Sequence, residues 1–238
     1  MLISPTAAIE SPPSEGVAHG FPILRDLKGA RLADGEFVQW TAGGRLHVVI
    51  TYVFERGRRI AERVVVRQRP ELVQETWSWQ EERAGRLYRR FAVDFRSGRA
   101  TAEAPDDEGD LERWNETLEG VSDGRTFGGF GFTLAVKALH RRLIRGEVVT
   151  LQAVGFAPRP RTVAVELSHG GRDRIRMAGR TIAGDRFIVH PKLPFLARLF
   201  VQVPDATIWL TTPPAGFLRW EGALAQPDDP MVRVDLLP

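Results

Sequence analysis

Residues 46–95 read LHVVITYVFERGRRIAERVVVRQRPELVQETWSWQEERAGRLYRRFAVDF, and apolar side chains return at every second position through most of the stretch. Leu46, Val48, Ile50, Tyr52 and Phe54 share one face of a strand, with Arg45, His47 and Thr51 on the other. That is the period-two pattern of a half-buried β-strand. Arg56-Gly57-Arg58 supplies a three-residue hairpin loop with Gly near the left-handed position. The loop sets Phe54 opposite Ile60, Tyr52 opposite Glu62, Ile50 opposite Val64 and Val48 opposite Val66. Pro70 cannot take the positive φ of a primed two-residue turn. Phase still requires a connection around Pro70-Glu71, pairing Val64 with Trp77 and Glu62 with Trp79. A third turn, Arg83-Ala84-Gly85, pairs Trp79 with Arg89, Trp77 with Phe91 and Glu75 with Val93. Four consecutive antiparallel strands follow from this stretch alone.

Working outward, strand patterns recur at residues 36–40, 99–104, 148–156, 161–168, 172–178 and 181–190. A hairpin of IWLT and FLRWEG flanks Pro213-Pro214, and a last strand covers 231–236. The total is about eleven to thirteen strands. One amphipathic helix is predicted over 130–144. Phe132, Val136, Leu139 and Leu143 form its apolar stripe, Lys137, Arg141 and Arg145 its basic one, and Gly146 its C-terminal cap. Its approach, FGGFGF, lacks the Lys-Ser/Thr of a phosphate loop. It reads as a tight approach of helix to sheet, or as a flexible lip over a pocket. A short second helix is expected over 193–203, hemmed by Pro194 and Pro204. Residues 1–34 read as a largely irregular N-terminal arm and 35–238 as a single antiparallel β domain. So many strands with so few helices imply a mainly β fold. Its form is a large antiparallel curved sheet or up-and-down barrel packed around the amphipathic helix, with a two-sheet sandwich as the alternative.

Composition narrows the function. The chain is 43% hydrophobic and 26% charged with a net charge of +3, values typical of a globular protein. Arginines supply nearly all the positive charge, Lys28, Lys137 and Lys192 being the only lysines, and they alternate with acids instead of clustering. Nucleic-acid binding is therefore not expected. Cysteine is absent, which removes disulfides, thiolate catalysis and Cys-ligated metals. The N-terminus has neither a basic region nor an apolar core of a secretory signal. No apolar run approaches the roughly twenty residues of a membrane span, so the chain as given reads as soluble and cytoplasmic. The acidic stretch APDDEGDLE, with Asp106, Asp107, Glu108 and Asp110, lacks EF-hand spacing and reads as a solvated loop. No two of His19, His47, His140, His169 and His190 lie at metal-ligand spacing. His47, His140 and His169 are expected at the surface, and His190 in a structural role. No G-x-S-x-G elbow is present, and no cofactor motif, so no cofactor and no metal are assigned. Trp209, Phe217 and Trp220 read as core and hairpin packing.

The long Arg-rich hairpins, the mid-chain helix behind its Gly-rich approach, and the tail FIVHPKLPFLARLF followed by IWLTTPPAGFLRWEG resemble bacterial proteins of unknown function of the DUF3108 type. More loosely, they resemble lipoprotein-carrier folds in which a curved sheet enfolds a helix. That resemblance implies export from the cytoplasm and a sheet able to hold an apolar ligand, with no reaction attached.

The three hairpins place Tyr52, Glu62, Trp79 and Arg89 in one row on the apolar face. A buried carboxylate or guanidinium is costly unless paired, so Glu62 and Arg89 need each other, water or a ligand. One outcome is a salt-bridged row at the open end of a barrel. The other is a site in which Arg89 holds an acidic head group while Tyr52, Glu62, Trp77, Trp79 and Phe91, with Val93 and Phe95, line it. The leading expectation is non-enzymatic binding of a hydrophobic or lipid-like small molecule in the concavity. The alternative is an enzyme of cyclase, lyase or isomerase type using Tyr52, Glu62 and Arg89.

Overall fold

The computed structural model describes residues 9, 15–106, 108–157, 159–177, 179–192 and 203–236. Ten strands precede the helix: β1 (Ala18–Gly20), β2 (Ile23–Asp26), β3 (Arg31–Ala42), β4 (Arg45–Phe54), β5 (Arg58–Arg67), β6 (Val73–Arg83), β7 (Arg86–Asp94), β8 (Arg99–Pro105), β9 (Leu111–Thr117) and β10 (Thr126–Phe127). After α1 (Gly131–Leu143) come β11 (Val149–Phe156), β12 (Pro160–Met177), β13 (Arg180–Pro191), β14 (Ala206–Leu210), β15 (Phe217–Ala223) and β16 (Met231–Asp235). All belong to one 16-stranded sheet. Its order runs β10-β11-β12-β13-β14-β15-β16-β2-β3-β4-β5-β6-β7-β8-β9, with β1 on β3. The β10–β11 pair is parallel and the other ladders are antiparallel.

Chain connectivity forces the sheet to curl. Laid flat, the fifteen-strand path would span about 67 Å at roughly 4.8 Å per strand. The stretch from the end of β9 to the start of β10, which are the two ends of that path, reaches at most about 31 Å when fully extended. Consistent with this, β12 from one half of the sheet lies against β8 and β9 from the other. The helix packs on the enclosed face, where Leu134, Ala135, Val136, Leu139 and Leu143 join the main core.

The strand count exceeds the expected eleven to thirteen. Residues 15–34, assigned to the irregular arm, contribute β1, β2 and the start of β3. The pairing of β2 with β16 joins segments from opposite ends of the chain, which no local pattern reveals. Likewise β9 emerges from the acidic stretch, whose Asp106 caps a tight hairpin tip. In the other direction, the strands expected at 161–168 and 172–178 form, over their described residues, one strand, β12. The Ser-His-Gly-Gly segment expected to turn is a bulge between His169 and Gly171. The predicted second helix, 193–203, lies outside the described residues except for Val203. The predicted helix 130–144 matches α1, and Gly146, at φ +87°, returns its N–H to Leu143.

Registers decide the site. The β4–β5 turn lies one residue earlier than predicted, as a 3-10 turn at Glu55–Gly57 with Val53 opposite Arg59. Tyr52 therefore faces Ile60, and Glu62 faces Ile50, a shift of two residues that preserves phase. Across Pro70 the expected pairs Val64–Trp77 and Glu62–Trp79 are present. A bulge between Val65 and Val66 makes them so; without it Glu62 would meet Ser78. At the third hairpin Ala84 and Gly85, at φ +48° and +74°, form a two-residue primed turn in place of the predicted three-residue loop. Continued unbroken, that turn would set Trp79 against Arg90. A bulge between Glu81 and Glu82 restores phase, so that Trp79 faces Phe91 and Glu81 faces Arg89.

Candidate functional site

The predicted row is thus split in two. One real row runs Phe37, Ile50, Glu62, Trp79, Phe91, and its neighbour runs Gly35, Tyr52, Ile60, Glu81, Arg89. Glu62 and Arg89 do not pair. Arg89 is satisfied elsewhere: its Nε donates to Glu81 at 2.9 Å, both terminal nitrogens donate to Asp229 at 2.9 Å, and one also donates to Gln226 at 2.8 Å. Glu81, fully buried, accepts from Arg58 and Arg83 as well, at 2.8 Å each. Arg89 also lies over the Trp79 ring, at 5.0 Å to its centroid. With four of its five N–H groups committed to Glu81, Gln226 and Asp229, Arg89 is not positioned to hold an acidic head group. Glu81 sits on the same alternating face as Trp77 and Trp79, so its inward position was legible. Asp229 and Gln226 lie far along the chain and carried no signal.

Glu62 is placed by the glycine-rich approach. Its Oε1 accepts from the Phe130 backbone N–H at 2.7 Å and from Trp77 Nε1 at 3.0 Å. Phe130 is the N-cap of α1, so the carboxylate sits where the helix dipole favours negative charge. Glycine is required here by contact. A Cβ on Gly128 would lie 2.3 Å from the Trp77 ring, and one on Gly129, at φ +52°, 1.8 Å from Glu62 Oε1. Gln74 clamps the same turn, donating to Gly128 O at 3.1 Å and accepting from Gly128 N at 2.9 Å. FGGFGF is therefore a tight approach of helix to sheet.

Between this turn and the sheet lies a cavity of about 310 Å³, within the range of small-ligand pockets. Of the six predicted binding residues, Tyr52, Glu62, Trp77 and Trp79 line it. Arg89 and Phe91 do not. Phe91 is 1% exposed and stacks between Trp79 at 5.5 Å and Phe156 at 4.5 Å, making it core. Sequence reasoning missed the opposite wall, which includes Phe130, Ala153, Val165, Ile208, Phe217 and Trp220. Phe217 and Trp220, read as hairpin packing, line the cavity, whereas Trp209 belongs to a separate small cluster with Ile175, Met177 and Leu218.

The electrostatics follow from enclosure. Burial pushes the Glu62 carboxyl up to about 7, against the opposing pull of its two hydrogen bonds. Burial, with the Glu62 charge adding to it, drives the Tyr52 phenol far above its ordinary range. Glu62 keeps some accessible surface because it faces the cavity. Its Oε2 has no hydrogen-bond partner among the described residues.

Of the histidines expected at the surface, His140 is buried and His169 is half-buried. His140, 2% exposed, bonds Asp185 at 3.1 Å and meets the Phe187 ring edge-on, while His169 packs on the same ring at 5.6 Å. The helix turns His140 toward the sheet because its apolar stripe is wider than the sequence pattern implied, taking in Leu134, Ala135 and His140. His47 lies on the outer face, stacked on Trp40 at 5.2 Å, and His190 is exposed and bonded to Asp205 at 2.7 Å. Among the described residues no three acidic or imidazole groups gather as a metal site. No helix among them is long and apolar enough to cross a membrane.

The class defined by this architecture is a β-barrel-like curved sheet packed against the helix α1. Such a protein is known: the fold is similar, at a TM-score of 0.50, to the crystal structure of a β-barrel-like protein of domain of unknown function DUF1849 from Brucella abortus. The match covers 93% of this chain and 96% of that one at 9% identity, so the likeness is one of fold. No family model matches the sequence, and no curated protein matches it.

Proposed function

We propose that the protein is a non-enzymatic binder of a hydrophobic, lipid-like small molecule, held in the concavity of its curved sheet. The observation that carries this reading is the cavity itself. It is walled on one side by β4, β5 and β6, on the other by β11 to β16, and bounded by the N-terminus of α1, with apolar side chains over most of its surface. Interiors are ordinarily packed without voids of this size, and an apolar cavity with a few polar groups is the common form of a ligand site. The resemblance to DUF3108-type proteins and lipoprotein carriers belongs to the same reading. Native mass spectrometry of protein purified without detergent, with a hydrophobic-dye displacement titration, tests it. A bound species or saturable displacement is expected, and neither appearing would overturn it.

A second reading, an acid–base enzyme, has one observation in its favour: Glu62 is poised near neutrality in a cavity it shares with Tyr52. Arg89, the third member expected of such a site, is withdrawn into its own ion pairs.

A further inference from the structure

Resting on the binding reading above, we infer that the ligand carries a cationic head, an alkylammonium-type amphiphile whose charged group is held by Glu62. Three features of the cavity carry this. First, among the described residues that line it Glu62 is the one carboxylate, and none is an Arg, Lys or His. An anionic head would therefore meet a like charge with no compensating cation nearby. Second, the usual refuge for an anion, the helix N-terminus, has most of its N–H groups committed within the protein. The Phe130 N–H is given to Glu62, the Gly131 and Phe132 N–H groups to Gly128 and Gly129 carbonyls, and the Leu134 N–H to Phe130 O. Third, Glu62 Oε1 takes both internal donors, which leaves Oε2 without a partner among the described residues. Around it Tyr52, Trp77, Trp79 and Phe130 present aromatic rings. A carboxylate among aromatic faces is the chemistry that recognises organic ammonium groups.

Protonation gives this inference a signature. An ammonium head needs ionised Glu62, so its affinity should rise with pH up to about 7 and level off above. Tyr52 on β4 is the titratable group on which the Glu62 charge acts, and it stays protonated throughout this range. From β6 and α1, Trp77 Nε1 and the Phe130 N–H face Glu62, and neither titrates.

The test is isothermal titration of the full chain with decylamine, decanol and decanoate at about pH 8, repeated with Glu62→Gln, and a pH series of decylamine on the unaltered protein. Decylammonium should bind about tenfold or more tightly than decanol, and decanoate weakest. Glu62→Gln should bring decylammonium down to the decanol level. Below about pH 7, affinity for decylammonium should fall toward tenfold per pH unit while that for decanol stays level. Equal binding of the three, a preference for decanoate, or a pH-independent decylammonium affinity overturns the head-group inference and leaves the cavity reading intact. If none of the three binds, the cavity reading itself fails. The pH series decides the matter even if the variant does not fold.

Discussion

Replacing Glu62 with Gln should make the protein more stable at alkaline pH, and the size of the gain follows from the site. The native environment moves the carboxyl from its ordinary 4.5 to about 7. At roughly 1.4 kcal/mol per pH unit, ionised Glu62 therefore costs the folded state about 3 kcal/mol above pH 7. Because the folded pKa lies above the unfolded one, this contribution to stability is fully present below about pH 4.5. It is lost as pH rises through about 7. A Gln keeps an acceptor for the Phe130 N–H and Trp77 Nε1 and carries no charge at any pH. Urea unfolding of the two proteins should give equal stabilities near pH 4.5 and a gap opening to about 3 kcal/mol by about pH 8. In this size of chain that gap corresponds to a Tm difference of about 6 to 12 °C. Taking the difference between the two proteins cancels other groups that titrate in the same range, His140 among them. A gap that is constant with pH, or a Gln variant that is less stable at pH 8, would refute the claim that Glu62 is held in a low-dielectric cavity.

Arg89→Met should cost about 3 kcal/mol or more, because it strands part of the buried charge on Glu81 and Asp229; hydrogen exchange at Ala225 and Gln226, whose N–H groups bond Asp229 at 3.0 Å, should accelerate. Gly129→Ala should lose about 2 to 4 kcal/mol by urea midpoint, from the contact with Glu62 Oε1 and the left-handed backbone together. Gly44→Ala, at φ +75° with open space around it, should lose only about 1 kcal/mol. Burial holds His140 below its ordinary 6.5, with Asp185 opposing, so stability should decline as pH falls below about 6.5 and the unfolded chain takes up a proton the folded one refuses. His140→Gln should flatten that acid limb in the same urea series.

What the sequence determined by itself was phase. Alternation over 46–95 put Tyr52, Glu62, Trp77, Trp79, Glu81 and Arg89 on the enclosed face, since side chains in a strand alternate whatever their partners. The 3.6-residue stripe and Gly146 located α1 almost to the residue. Register was another matter. A first turn set one residue earlier than expected, and at the third hairpin a two-residue turn followed by the Glu81/Glu82 bulge, shifted two hairpins by two residues each, while the Val65/Val66 bulge kept the second in its expected register. Such shifts leave every apolar residue on its own face and so leave no trace in the pattern. They nonetheless decided that Tyr52 meets Ile60 in place of Glu62, and that Arg89 meets Glu81 in place of Trp79.

Only the tertiary structure could supply the rest. The β16–β2 ladder, the Arg89–Asp229 pair and the cavity wall from Phe217 and Trp220 join residues distant in the chain. Local propensity cannot encode such contacts, because they are fixed by the curl of the whole sheet. The same closure sealed Glu62 against the head of α1, so that a carboxylate expected to pair with arginine became the one charged side chain that the described residues bring to an apolar cavity.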